Sequence, residues 1–242
     1  MWKNILLLFF ITTLGITACG PSDELIPAID QATGVTYFYM VDNKYREYNV
    51  REIRYSAVGI SDTFIYQLRE EVKEAFQNAL GEESRLIHRF TRPNTNTTWQ
   101  LDSVWTVRIE RDRAVSIENN IPIVKIVFPA QTNRSWDANV YNPKDVDQFK
   151  ILNFGALTNI AVNDDLEATT TLTIEQENDQ DGITFKDFRR EIYADSIGLI
   201  SKQYEVLKIC SRPECVGLNQ IESGRFYRET IIAHGFIDEG GN

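Results

Sequence analysis

From Thr97 to Glu110 the chain alternates. Trp99, Leu101, Ser103, Trp105, Val107 and Ile109 fall on one side. Thr98, Gln100, Asp102, Thr106, Arg108 and Glu110 fall on the other, with Val104 the one apolar exception. A period of two predicts a half-buried antiparallel strand. Arg111-Asp112-Arg113 supplies its turn and Ala114–Glu118 the return. Further strands are predicted at Ile123–Phe128, Thr169–Glu177, Phe185–Ala194, Leu199–Ile209 and Arg225–Phe236. Asp181-Gly182, Gly198 and Gly224 fall where turns are needed. His88 alternates with Leu86 and Phe90 and is expected to face inward. Many short strands with local turns predict a mainly β fold. The expectation is an antiparallel curved sheet, an open barrel or a sandwich, in a single domain over 35–242.

One segment reads two ways. Phe64, Leu68, Val72, Phe76 and Leu80 recur every four residues, and Gln67–Ala75 is rich in helix formers. That periodicity predicts a helix. Phe64, Tyr66, Leu68 and Val72 also fit a strand, in which Glu70 is out of place.

The first residues have a different pattern. Lys3 precedes the apolar run Ile5–Leu14, followed by small residues up to Ala18. The run is shorter than the ~20 residues of a membrane span. Its order of charge, apolar centre and small residues is that of a secretory signal peptide over 1–18. Ile16-Thr17-Ala18-Cys19 resembles a lipobox, which makes Cys19 the lipidated first residue of the mature chain. Two or more acyl chains anchor a protein stably where one does not. Residues 19–34 read as the lipidated Cys and a flexible linker, with a reach of roughly 20 Å. Gly20 after the Cys resembles the sorting pattern of outer-membrane lipoproteins. Asp23 and Glu24 resemble an acidic surface-export signal, which leans the assignment toward the cell surface.

Composition narrows the classes. Hydrophobic residues make up 43% and aromatics 11%, enough for a core. The net charge is −10, and loss of Lys3 with the signal peptide makes the mature chain one unit more negative. Such a balance argues against nucleic acid as a partner. Of three Cys, Cys19 is the anchor. Cys210 and Cys215 flank Ser-Arg-Pro-Glu, a turn sequence that suits a disulfide outside the cytoplasm.

Several phrases together resemble a group of uncharacterised Bacteroidota lipoproteins. They are Tyr37-Phe38-Tyr39-Met40-Val41 with Asn43-Lys44-Tyr45; Asp62-Thr63 before Tyr66-Gln67-Leu68-Arg69-Glu70; Trp99-Gln100-Leu101-Asp102-Ser103-Val104-Trp105; Phe128-Pro129 with Trp136-Asp137; and Tyr193-Ala194-Asp195-Ser196-Ile197-Gly198-Leu199-Ile200. The resemblance implies a sheet curved around a core, with 62–76 and 84–92 as a hairpin. It implies no activity, cofactor or catalytic residue. Similar proteins often carry Pro and Gly where this chain has Tyr39 and Asp42, so the opening turn is expected to differ.

Candidate chemistry is thin. No G-x-S-x-G occurs, and the two His, His88 and His234, are far apart. With 35 acids, a carboxylate pair at glycosidase spacing carries no specificity. Trp99, Trp105 and Trp136 could stack on a sugar, but core packing is the expected role. Glu177-x-Asp179-x-Asp181-Gly182 resembles half of a calcium loop, yet its twelfth position is Phe188 rather than Glu. The expectation is therefore no metal and no cofactor. The chain reads as an outer-membrane lipoprotein, a non-enzymatic binding or accessory component of the envelope. Its partners would be the membrane, through the lipid, and another envelope protein. The alternatives are a carrier of an apolar ligand in a cavity of the sheet and a carbohydrate-active enzyme.

Overall fold

The computed structural model describes residues 33–56 and 61–238. The signal segment 1–18, Cys19 and the linker as far as residue 32 lie outside the described residues. A 3₁₀ turn, Val35–Tyr37, precedes twelve strands. These are β1 (Lys44–Tyr55), β2 (Ser61–Gln77), β3 (Glu83–Arg92), β4 (Gln100–Glu110), β5 (Arg113–Glu118) and β6 (Ile121–Val127) in the first half. The second half holds β7 (Ser135–Asp137), β8 (Gln148–Val162), β9 (Asp165–Gln180), β10 (Phe185–Ala194), β11 (Gly198–Ile209) and β12 (Ile221–Phe236). Among the described residues no helix is long and apolar enough to cross a membrane.

All twelve strands form one antiparallel sheet in the order β6-β5-β4-β3-β2-β1-β12-β11-β10-β9-β8-β7. Two meanders are thus fused by pairing of the first strand with the last, from Lys44↔Phe236 to Tyr55↔Gly224. The two outer edges then approach each other. The Val124 N–H donates to the Ala138 carbonyl at 3.0 Å, and the Trp136 indole N–H donates to the Val124 carbonyl at 2.9 Å. The sheet is therefore a nearly closed barrel, and little strand edge is left unpaired.

Residues 61–92 form the β2–β3 hairpin, not a helix. A repeat of four is also an even number, so Leu68 and Val72 share one strand face as well as one helix face. Both are buried, with Glu70 between them, and Val72 and Glu70 pair with Ile87 and Arg89 of β3. This pairing makes Ile87 the inward residue. His88 therefore does not face inward as expected; it sits half-buried on the opposite face, 6.2 Å from Phe90.

Two further expectations need correction. Gly224 lies inside β12 rather than in a turn. Its φ is 128°, and a Cβ there would run into the backbone of Val206 on β11, so close strand approach requires glycine. On β4, Trp105 and Val107 turn toward the interior, whereas Leu101 and Ile109 of the same face are exposed. A register shift at Arg89/Phe90 separates Leu101 from the core.

The interior is layered along the strands. At the end where β1 begins and β12 finishes, Val72, Ile87, Val107, Ala114, Ile126 and Tyr193 build an apolar tier. Tyr37 and Phe38, just before β1, insert into this tier and close that end. Burial of each valine, isoleucine or phenylalanine in this tier contributes roughly 1.5–3 kcal/mol. Cavity-facing residues lie further along the same strands, toward the other end.

Candidate functional site

Above the apolar tier, strand after strand turns a charge inward. In sheet order these are Arg46 on β1, Glu70 on β2, Arg89 on β3, Glu118 on β5, Lys125 on β6, Glu191 on β10, Lys202 on β11 and Glu229 on β12. The sign alternates at every step. Arg46 reaches Glu70 at 3.2 Å, and Arg89 reaches the other oxygen of Glu70 at 3.0 Å. Arg89 lies over the Trp105 ring of β4, 3.8 Å from its centroid. Lys125 joins Glu118 at 3.4 Å and crosses to Glu191 at 2.8 Å, and Lys202 meets Glu191 at 3.2 Å. Lys202 is then the cross-strand partner of Glu229. Four cations and four carboxylates make a belt around the inside of the barrel.

Several charges in the belt are set by their neighbours. Burial would raise the Glu191 carboxyl, but the charges of Lys125 and Lys202 and hydrogen bonds from Lys125 and Tyr193 outweigh it and hold the group ionised, well below the usual range. Glu118 is held down likewise, burial being outweighed by the same two lysines. Burial would lower both lysines, yet surrounding carboxylates and tyrosines keep them firmly protonated. Glu229 goes the other way. Burial and the nearby Glu70 push its carboxyl above the ordinary value, against Arg89, Lys202 and a 2.5 Å hydrogen bond from the Tyr227 hydroxyl. Its second oxygen has no hydrogen-bond partner.

Beyond the belt the barrel opens into a cavity of about 1040 Å³. Arg89, Trp105, Glu118 and Lys202 form its floor, and a narrow extension of about 40 Å³ continues between the belt residues. Tyr66, Tyr204, Tyr227 and Phe64 supply aromatic wall. The mouth carries Arg54, Arg225 and Lys144. Glu52, 3% exposed, accepts from the Nε of Arg54 at 2.5 Å and from the Nε of Arg225 at 2.8 Å on the same oxygen. Burial favours the neutral form of Glu52, but these two guanidiniums hold it ionised.

The residues singled out by sequence fall elsewhere. Cys210 and Cys215 form a disulfide, with Cα atoms 5.8 Å apart, in the loop between β11 and β12 at the open end of the barrel. The calcium candidates do not converge. Asp181 caps the β9–β10 turn, accepting the N–H groups of Ile183, Thr184 and Phe185. Glu177 and Asp179 lie back along β9, and among the described residues no three His, Cys, Asp or Glu gather as a metal set. His234 is far from the cavity. Its ring nitrogens contact Lys44 at 3.2 Å and Glu167 at 2.9 Å, a tie between β12, β1 and β9. Of the tryptophans, Trp136 packs on Phe149 as expected, Trp99 stacks under Arg92, and Trp105 lines the cavity. Sequence reasoning missed the belt altogether, although Glu70 as the misfit of its strand was its one visible trace.

The class of protein defined here is an antiparallel barrel with one end plugged, a charged belt and a cavity open at the other end. No protein-family model and no curated protein matches the sequence. Two solved structures are similar to it. One is described as a "putative exported protein with YmcC-like fold" from Bacteroides fragilis NCTC 9343, at 10% identity and a TM-score of 0.41, covering 82% of this chain and 98% of its own. The other is a "putative lipoprotein" from Parabacteroides distasonis ATCC 8503, also at 10% identity and 0.41, covering 83% and 98%.

Proposed function

We propose that this chain is a lipid-anchored binding protein of the outer membrane, with the barrel interior as its ligand site. The cavity carries the reading: about 1040 Å³ of space, walled by fixed aromatic and charged side chains, is within the size of small-molecule sites or slightly above it. The lipobox ending at Cys19 supports the anchor, and Asp23 and Glu24 support the cell-surface face.

Binding is favoured over turnover by the state of the carboxylates. Glycoside hydrolysis needs a raised acid beside an ionised partner, both reaching substrate. Glu118, on the floor, is held ionised by two lysines, and the raised Glu229 does not line the cavity. A purely apolar cargo is disfavoured by the charges of the floor and mouth.

Replacing Cys19 with Ser tests the anchor. The variant is expected to leave the outer-membrane fraction for the soluble fraction on cell fractionation. A Cys19→Ser protein that stays tightly membrane-bound overturns it.

A further inference from the structure

The cavity has the wrong sign for its protein. The chain carries −10 overall, yet of the charged residues lining the cavity six are cationic and three are acidic, and of those six only Arg92 turns its side chain outward. Charges separated by more than roughly 8–10 Å are largely screened at physiological salt, so a ligand at the mouth feels the local excess and not the distant acids.

The excess is concentrated at the mouth. Arg54 and Arg225 share the single buried carboxylate of Glu52, and both spend only their Nε–H on it. Their terminal amino groups make no further hydrogen bond among the described residues. Each guanidinium is also steadied by a ring, Arg54 by Phe64 at 4.8 Å and Arg225 by Tyr227 at 4.9 Å. Arg92 is not part of this excess: it alternates with Thr91, rests on Trp99 at 4.0 Å and donates to Gln67 at 2.7 Å on the outer face of the sheet. Lys144 has no acidic partner among the described residues. A guanidinium with a free edge and a fixed plane is suited to donate two parallel hydrogen bonds to a carboxylate or phosphate.

We propose that the mouth of the cavity is an anion site. Arg54, Arg225 and Lys144 take the carboxylate or phosphate group of a ligand whose ring or apolar part lies against Phe64, Tyr66, Tyr204 and Tyr227. This rests on the reading of the barrel interior as a ligand site. The positive mouth is what separates such a ligand from neutral molecules of the same shape. Arg228, exposed and on the opposite face of β12 from Tyr227 and Glu229, carries the same charge without facing the cavity.

The test uses the full lipoprotein in phosphatidylcholine nanodiscs. Titration calorimetry compares 1-naphthyl phosphate, 1-naphthoate and the uncharged 1-naphthalenemethanol at low salt. Both anions are expected to bind about tenfold more tightly than the alcohol, the equivalent of one good charged contact. A further gain for the phosphate marks a dianionic headgroup; equal anions mark a carboxylate. The double variant Arg54→Gln/Arg225→Gln is expected to lose that preference while still binding the alcohol, and Arg228→Gln to keep it. If loss of both Glu52 partners unfolds the barrel, Lys144→Gln leaves Glu52 paired and is expected to cut the preference about threefold. Equal binding of all three probes, or a preference that Arg228→Gln removes as effectively, overturns the anion site and leaves the cavity reading standing. Binding of none overturns both.

Discussion

Glu191 is the residue on which the belt turns. It is fully buried and touches Lys125, Lys202 and Tyr193. Buried ion pairs gain little over an apolar core, but removal of one partner strands the others without solvent. Glu191→Gln is therefore expected to cost about 3–5 kcal/mol in urea unfolding, while Lys125→Met/Glu191→Leu recovers part of that loss. Glu229 responds to pH with the opposite sign to its neighbours. Its raised carboxyl keeps a proton in the folded chain at pH values where the unfolded chain has lost it, so its contribution is full below the ordinary carboxylate value and fades as pH rises through the raised one. Glu118, Glu191 and Glu52, held low, lose their contributions as pH falls through their lowered values. Glu229→Gln keeps the neutral shape, and unfolding measured from pH 7 down to 4.5 is expected to show no loss of stability at pH 7 and a smaller gain on acidification than the parent. A variant clearly weaker than the parent at pH 7 contradicts this.

The elements divide into those that alternation reveals and those it hides. β10 was predicted with the bounds it has, because its inward residues include Ile192's neighbours Glu191 and Tyr193 in a run closed by clear turns. β1 gave no signal. Its buried face reads Lys44, Arg46, Tyr48, Val50, Glu52, so the inward positions look as polar as the outward ones. β8 was lost differently, since register shifts at Ile151/Asn153 and Phe154/Ala156 break its period. Lys125 interrupts the apolar run of β6 for the same reason that Glu70 disturbs β2: both belong to the belt. A polar group facing inward is a failure of the local rule at the place where the molecule has another use for that position. The cavity was thus illegible, since its parts lie on strands that meet only after the sheet has curled. The disulfide was legible from spacing and turn residues. It closes a short loop at the open end, so Cys210→Ala/Cys215→Ala is expected to cost about 2 kcal/mol on thermal or urea unfolding and to leave probe binding intact. Loss of binding in that variant would tie the loop to the mouth.

At the scale of the whole molecule, one end of the barrel is plugged and the other opens onto the cavity. The segment that plugs the closed end leads directly into β1, and β12 finishes beside it, where the Ile237 N–H donates to the Asn43 carbonyl at 2.9 Å. Under the proposed function, the net negative charge of the chain disfavours anionic surfaces, and the cationic mouth is where an anionic ligand would enter. The pairing of first strand with last has a mechanical consequence. Lys44 faces Phe236 at the same end of the seam, so a pull between the two termini loads one rung at a time, from Lys44↔Phe236 toward Tyr55↔Gly224. The barrel has in effect a zip fastener with both tabs at one end. Tension would open it rung by rung, past Arg46↔His234 and Val50↔Glu229, and separate the belt residues of β1 from those of β12 before any other strand pair had to yield.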